Sequence, residues 1–148
     1  MATVPPPVAV RERLLAAITT AVGGVYRVPS AEDERDLPLV FVQDGPDEAS
    51  SNYDFVRLVM PVSVAHAAEA VSTDRAEQRA QAHEMLADLV AAMQADETFG
   101  GLAQGVELVG VSINTELGKL VFAESSWQVT YRHLRGDARA LEVPPEGD

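Results

Sequence analysis

The chain contains no cysteine and a single lysine, and only 5% of its 148 residues are aromatic. The lack of cysteine excludes a disulfide framework, a thiol nucleophile and zinc sites with cysteine ligands. No stretch approaches the ~18 consecutive apolar residues of a transmembrane helix. The first seven residues, MATVPPP, lack the basic region and apolar core of a secretory signal. We therefore expect a protein that is made in the cytoplasm and has no membrane partner.

Basic residues are scarce. Eleven Lys and Arg stand against 23 Asp and Glu, which gives a formal net charge of −12. Tight binding of nucleic acid depends on cations that replace counterions on the phosphates, so this balance argues against a tightly held DNA or RNA ligand. The segment from Ser30 to Asp54 holds eight acidic residues and one arginine. Such a segment is either a pair of solvated loops or a negatively charged surface that faces a phosphate-bearing molecule and repels it.

Catalytic and ligand-binding motifs are also missing from the sequence. It contains no G-x-S-x-G elbow, no H-E-x-x-H pair and no glycine-rich phosphate loop followed by Lys-Ser/Thr. The three histidines, His66, His83 and His133, do not have the spacing of metal ligands. We expect no catalytic residue, metal ligand or cofactor-binding residue, and we interpret the protein as a non-enzyme.

Two segments have the periodicity of amphipathic helices. The first begins near Val8 and ends at Gly23-Gly24, and the second begins after Asp74 and runs to about Gln94. Asp74 followed by Glu77 resembles a capping box. Apolar residues recur at three- and four-residue spacing in both segments: Val10, Leu14, Ala17, Ile18 and Ala21 in the first, and Ala82, Met85, Leu86, Leu89, Val90 and Met93 in the second.

Alternating or compact apolar runs predict the strands. They cover 25–28, 39–42, 53–66, 106–115 and 120–132, with Pro61 expected at an edge or a bulge and Gly110 at a bulge. The segment from Asp44 to Asn52 is interpreted as a polar loop. Because several strands follow one another without a helix between them, we expect an α+β fold. It would have a largely antiparallel (mixed) sheet of four or five strands and two main helices on one face.

The same patterns predict the domain limits. Residues 1–7 are interpreted as an extended N-terminal arm, because three consecutive prolines favour polyproline II. Residues 8–135 form the single α+β domain. Residues 136–148 are polar and contain prolines, so we expect a flexible C-terminal tail.

The order of these elements, with several local sequences, resembles one family. The sequences are Leu37-Pro38-Leu39-Val40 at a strand start, Pro61-Val62-Ser63-Val64 in the long strand, the helix end 96–102, and Trp127 to Arg132 followed by Gly136-Asp137. Between Val10 and Asp137 the chain resembles the tail terminator (tail completion) proteins of long-tailed bacteriophages (siphoviruses) and gene transfer agents. It departs from them in its proline arm and in its acidic region from Ser30 to Asp54.

The resemblance implies a structural protein of the virion, located in the tail-neck region. Such proteins form a hexameric ring that caps the tail tube, stops its polymerisation and joins it to the head-completion (stopper) protein of the neck. DNA passes through the lumen of the ring without specific binding. The implied partners are therefore other copies of the chain, the tail tube protein and the neck protein.

Two sets of residues are candidates for contacts in such a ring. Acidic loop residues would face the lumen and keep DNA from adhering: Glu32, Asp33, Asp36, Asp44, Asp47 and Glu48. Exposed apolar groups at turns, Phe99 and Leu117, would contact neighbouring subunits or the tube. Two alternatives stay open: another neck or head-tail completion protein such as a stopper, and a small cytoplasmic α+β enzyme or ligand-binding domain.

Overall fold

The computed structural model of the protein describes residues 8–26, 38–51 and 54–141, apart from the side chain of Leu117. Two helices and six strands follow one another in this part of the chain. Their bounds are α1 Val10–Val22, β1 Val25–Tyr26, β2 Leu39–Asp44, β3 Glu48–Ser51, β4 Phe55–Glu69, α2 Arg75–Gln94, β5 Gly105–Leu117 and β6 Leu120–Leu134. The predicted α+β class is confirmed, and the predicted arm, residues 1–7, lies outside the described residues.

Both helices begin and end close to the predicted positions. Gly23 ends α1 in the left-handed conformation, with φ of 65°, which costs glycine little. The Asp74 carboxylate accepts a hydrogen bond from the Ala76 N–H at 2.8 Å and so caps the start of α2. The Asp74 N–H donates to Ser72 Oγ at 3.0 Å, so the capping box predicted with Glu77 is not formed in full.

The six strands form one mixed sheet. Its order is β1-β2-β4-β6-β5, with β3 also paired to β4; β1 is parallel to β2, and the other pairs are antiparallel. The prediction of four or five strands was too low because Glu48–Ser51, interpreted as loop, is a strand. All four of its residues are exposed, so the segment lacks the alternation of apolar and polar residues that marks a half-buried strand.

Strands β2 and β3 lie end to end along the same side of β4. Asp44 pairs with Val62 and Glu48 with Val59, so the chain from β2 to β3 has one residue more than the stretch of β4 opposite it. Pro61 lies opposite this irregular junction, although β4 itself is an internal strand. Its carbonyl accepts from the Gly45 N–H at 2.9 Å. A Cβ atom at Gly45 would lie 2.9 Å from Pro61 Cγ, so the close approach requires glycine.

The core lies between the two helices and one face of the sheet, the helix face. Val62 of β4 pairs with Trp127 of β6 on this face, and Trp127 is 1% exposed. The Trp127 Nε1–H donates to Ser125 Oγ at 2.7 Å, which satisfies a donor that would otherwise be buried without a partner. The main cluster joins α1, α2, three strands and the turn after α2: Val10, Leu14, Leu15, Ile18, Val42, Met60, Val62, Val64, Leu89, Met93, Phe99, Ala103, Trp127, Val129 and Tyr131. The opposite face of the sheet is called the open face here.

Residues 137–141, inside the predicted C-terminal tail, lie against the domain. The Val10 N–H donates to the Ala138 carbonyl at 2.9 Å, and the Leu134 N–H donates to the Ala140 carbonyl at 2.8 Å. The Leu141 side chain packs against the main cluster. Residues 142–148 lie outside the described residues.

Candidate assembly surfaces

An arginine in the first half of α1 joins the helix to the junction between β2 and β3. Arg11 Nε donates to Asp47 Oδ2 at 3.0 Å, and Nη2 donates to Asp47 Oδ1 at 3.1 Å and to the Gly45 carbonyl at 2.9 Å. Arg11 Nη1 forms an ion pair with Asp44. The planar guanidinium suits this arrangement because it offers several donors in a fixed geometry.

Two tyrosine hydroxyls complete this group of side chains. Tyr131 Oη donates to Asp47, and Tyr26 Oη donates to Asp44. The five side chains, Arg11, Tyr26, Asp44, Asp47 and Tyr131, are called the Arg11 cluster. Burial raises the pKa of Tyr131, and its hydrogen bond to Asp47 raises it further. Partial burial raises the pKa of Asp44, but hydrogen bonds from Tyr26 and Arg11 outweigh this effect and lower it overall.

The predicted lumen acids therefore differ in their surroundings. The side chains of Asp44 and Asp47 are each 11% exposed and are held by Arg11. Glu48, at the start of β3, is exposed. Glu32, Asp33 and Asp36 lie outside the described residues. Glu48 is therefore the one described residue of this set whose side chain is exposed. A lumen role for any of the six acids stays a prediction.

The turn after α2 holds Phe99, which was expected to be exposed. That expectation is wrong, because Phe99 is 6% exposed and belongs to the main cluster. Its φ of 47° starts a run of left-handed residues that continues through Gly100 and Gly101 and turns the chain back. Asp96 supports the turn, since it accepts hydrogen bonds from the Thr98 hydroxyl and from the Thr98 and Gly100 N–H groups. A contact of Phe99 with other subunits stays a prediction.

The other candidate contact residue, Leu117, lies at the end of β5. It pairs with Leu120 across a turn in which Gly118 has φ of 75°. The Ala70 N–H donates to the Lys119 carbonyl at 2.7 Å and ties this turn to the end of β4. The Leu117 side chain lies outside the described part of the structure, so its role also stays a prediction.

The two outer strands carry exposed apolar side chains that sequence reasoning did not single out. Val25 and Tyr26 of β1 are 37% and 57% exposed, and Val109 and Val111 of β5 are 52% and 54% exposed. The register of β5 shifts between Leu108 and Gly110, which confirms the predicted irregularity at Gly110. The bulge displaces Val109 from the alternating pattern, and this displacement is the signal that could have identified it.

His133 of β6 pairs with Val56, ten residues along β4 from His66, so these two histidines lie apart in the sheet. His66 of β4 is half-buried, and burial lowers its pKa. Within residues 8–26, 38–51 and 54–141, no group of three or more His, Cys, Asp or Glu side chains could hold a metal ion. No helix in the same ranges is long and apolar enough to cross a membrane.

Comparisons with known proteins found likenesses among solved structures. No protein-family model and no curated protein match the sequence. A chain of a solved structure described as "Virion of native gene transfer agent (GTA) particle" is similar with a TM-score of 0.37 and 16% identity, over 84% of this chain and 92% of that chain. At this TM-score the likeness supports no conclusion about shared function.

Proposed function

We propose that the protein is a virion structural component that forms a ring, most simply a hexamer, at the end of a phage-type tail tube. The ring stops tube polymerisation, contacts the neck protein and lets DNA pass through its lumen without specific binding. The sequence resemblance to tail terminators supports this proposal. The helices and strands in which these local sequences lie follow one another along the chain as the sequence analysis expects, with β3 as an additional strand.

The observation that carries the proposal is that both outer strands, β1 and β5, have exposed apolar side chains. One sheet has exposed apolar side chains on β1 at one side and on β5 at the other. Two unlike surfaces on one chain favour head-to-tail association, which closes into a ring when the rotation between copies allows it. An outer strand also presents unpaired backbone groups that a second chain can bind.

Charge substitutions on β5 test this association. We expect the double variant Val109→Glu/Val111→Glu to reduce ring formation by roughly tenfold or more, because an interface that buries an unpaired charge loses more than the 1.4 kcal/mol that corresponds to tenfold. The measurement is negative-stain electron microscopy of purified protein, alone and with tail tubes. Thermal unfolding checks that the variant monomer is folded.

The matched control is Val71→Glu, since Val71 is 82% exposed and lies between β4 and α2, beside the Gly118–Lys119 turn and not on the stretch of β5 that carries Val109 and Val111. It should form rings as the unaltered protein does. Rings that form equally well with the β5 double variant would reject the role of β5. A chain that forms no ring at high concentration or on tubes would reject the proposed function itself.

The lumen hypothesis gives a second test in assembled particles. Charge reversal of Glu32, Asp33, Asp36 and Glu48 to lysine should slow DNA ejection, because cations in the lumen would bind the phosphates. Asp44 and Asp47 are left unaltered here because reversal would place a cation beside Arg11. The control reverses the exposed acids Glu77 and Glu84 on α2. Normal ejection kinetics in the lumen variant would contradict the hypothesis.

A further inference from the structure

Two arginines lie side by side on the open face of the sheet. Arg57 of β4 is directly opposite Arg132 of β6, and both side chains are exposed. Residues in this relation have Cβ atoms about 4.5–5.5 Å apart, and like charges there destabilise the sheet. In the part of the chain that the structure describes, the ion pairs are those of Arg11. The arginine pair, Arg57 and Arg132, therefore has two positive charges that this part of the chain does not compensate.

A contact with an aromatic ring distinguishes the two arginines. The Arg132 guanidinium carbon lies 4.0 Å from the centroid of the Phe55 ring, and this cation–π contact holds its charge in place. Repulsion from that charge favours conformers in which Arg57 extends away from it, towards β3. Ser50 of β3 is directly opposite Arg57, and its short side chain leaves room above it. Glu48, which is diagonal to Arg57, forms no ion pair with it, so the charge of Arg57 is available at the outer side of β3.

The outer side of β3 can bind a further strand. Among the described strands β3 pairs with β4 alone, and all four of its residues are exposed, so its outer N–H and C=O groups are available. β3 is antiparallel to β4, whereas β5 is parallel to β4, because β6 lies antiparallel to both β4 and β5. In a head-to-tail arrangement, β5 of one copy would therefore lie antiparallel to β3 of the next. Antiparallel pairing is the arrangement that this sheet mainly uses.

The charge of β5 is complementary to that of the arginine pair. Between Arg79 and Lys119 the sequence has no Lys or Arg. All the acids in this stretch are exposed: Glu84, Asp88, Asp96, Glu97, Glu107 and Glu116. Glu107 is opposite Gln128, so its side chain lies on the open face, as those of the arginine pair do. It is two residues from the exposed Val109, and it therefore combines a negative charge with an apolar neighbour on an outer strand.

Strand spacing allows an ion pair between two copies. Neighbouring strands are about 4.8 Å apart, so a strand beside β3 lies about 10 Å from β4, a gap that extended arginine and glutamate side chains span together. Gln128, opposite Glu107, is four residues from Arg132 on β6. Glu107 therefore reaches the level of the arginine pair when the neighbouring copy is displaced by about 13 Å along the strands. Strands that tilt relative to the axis of a closed assembly have such a stagger.

We propose that Glu107 of one copy binds Arg57 of the next copy, with β5 of the first beside β3 of the second. This contact rests on the proposed ring and identifies the surface against which the exposed β5 edge packs. Contact between two different surfaces repeats from copy to copy, as a ring requires. Charge favours a second copy over DNA as the partner of Arg57, because a chain with a net charge of −12 repels a polyanion.

Complementation between two charge-reversed variants tests the contact. Arg57→Glu and Glu107→Arg should each need a roughly tenfold higher concentration to form rings, because each places like charges in the contact. An equimolar mixture of the two variants should form rings at the concentration that the unaltered protein needs, since every contact in an alternating ring then joins opposite charges. Sedimentation velocity measures assembly, negative-stain electron microscopy shows the shape of the particle, and thermal unfolding checks that each variant is folded.

The matched controls are Arg75→Glu and Glu84→Arg, exposed on α2, which should each assemble as the unaltered protein does. Single variants that assemble equally well, or a mixture that does not recover, would overturn the contact, and rings of the unaltered protein would still support the proposed function. Recovery in a particle that is not a ring would support the contact and reject the ring. Binding of short duplex DNA that Arg57→Glu abolishes while assembly is unchanged would assign Arg57 to phosphates and overturn the contact. An unaltered protein that never assembles would overturn both proposals.

Discussion

Replacing Trp127 by alanine is expected to lower the free energy of unfolding by about 3–5 kcal/mol, the usual cost of removing a large aromatic side chain from a core. Trp127 is 1% exposed and packs at the centre of the helix face. The substitution removes its packing with the helices and leaves Ser125 Oγ without the donor that it accepts from. Urea denaturation measures the change.

Gln128→Ala is the matched control for this substitution. Gln128 is the next residue of β6, but it is exposed on the open face, so its replacement should change the free energy of unfolding by about 0.5 kcal/mol or less. If Trp127→Ala had an effect as small as the control, the placement of Trp127 in the core would be wrong.

Replacing Arg11 by methionine is expected to cost about 2–3 kcal/mol. Removing one partner of a buried ion pair leaves the other charge uncompensated, at a cost of about 3–5 kcal/mol when the pair is fully buried. The Arg11 side chain is 26% exposed and those of Asp44 and Asp47 are 11% exposed, so solvent reduces this cost. The two carboxylates would then face each other without the cation. Urea denaturation of Arg79→Met, an exposed arginine on α2, gives the control.

The pH dependence gives a second measurement on the Arg11 cluster. The pKa of Asp44 is lower in the folded protein than its ordinary value, so its contribution to stability is present above that ordinary value and is lost as the pH falls through the folded-state pKa. Arg11→Met removes a cause of the lowering, so the variant should lose less stability than the unaltered protein on acidification below about pH 4. Identical acid dependence in the two proteins would contradict the assigned role of Arg11.

The sequence predicted the elements whose signals are local. The buried apolar residues of α2 recur at three- and four-residue spacing after an N-cap residue, and β6 alternates regularly around Trp127, so both could be located without tertiary information. β3 could not be located in this way, because its four exposed residues become a strand only through their pairing with β4. Its identity as a strand is a property of the sheet and not of its composition.

The surfaces were harder to predict than the elements for the same reason. Asp44 and Asp47 look like solvated loop acids in the sequence, but Arg11 is 36 residues away from Asp47 and Tyr131 is 84 residues away. The sequence suggests that Phe99 is an exposed turn residue, but its left-handed backbone conformation places the ring in the core. Periodicity within one segment carries no information about such long-range contacts.

The hydrogen bond from Val10 to the Ala138 carbonyl has a practical consequence for labelling the protein. The first helix and the last described residues are joined there, so fusion partners added before Val10 or after Leu141 would emerge on one side of the domain. The Gly118–Lys119 hairpin is at the other end of β6, about 50 Å away along a strand of 15 residues. A fluorescent tag joined directly before Val10 or after Leu141 therefore leaves that hairpin unobstructed, and a short linker between Leu141 and Val10 would allow a circular permutant opened at Gly118.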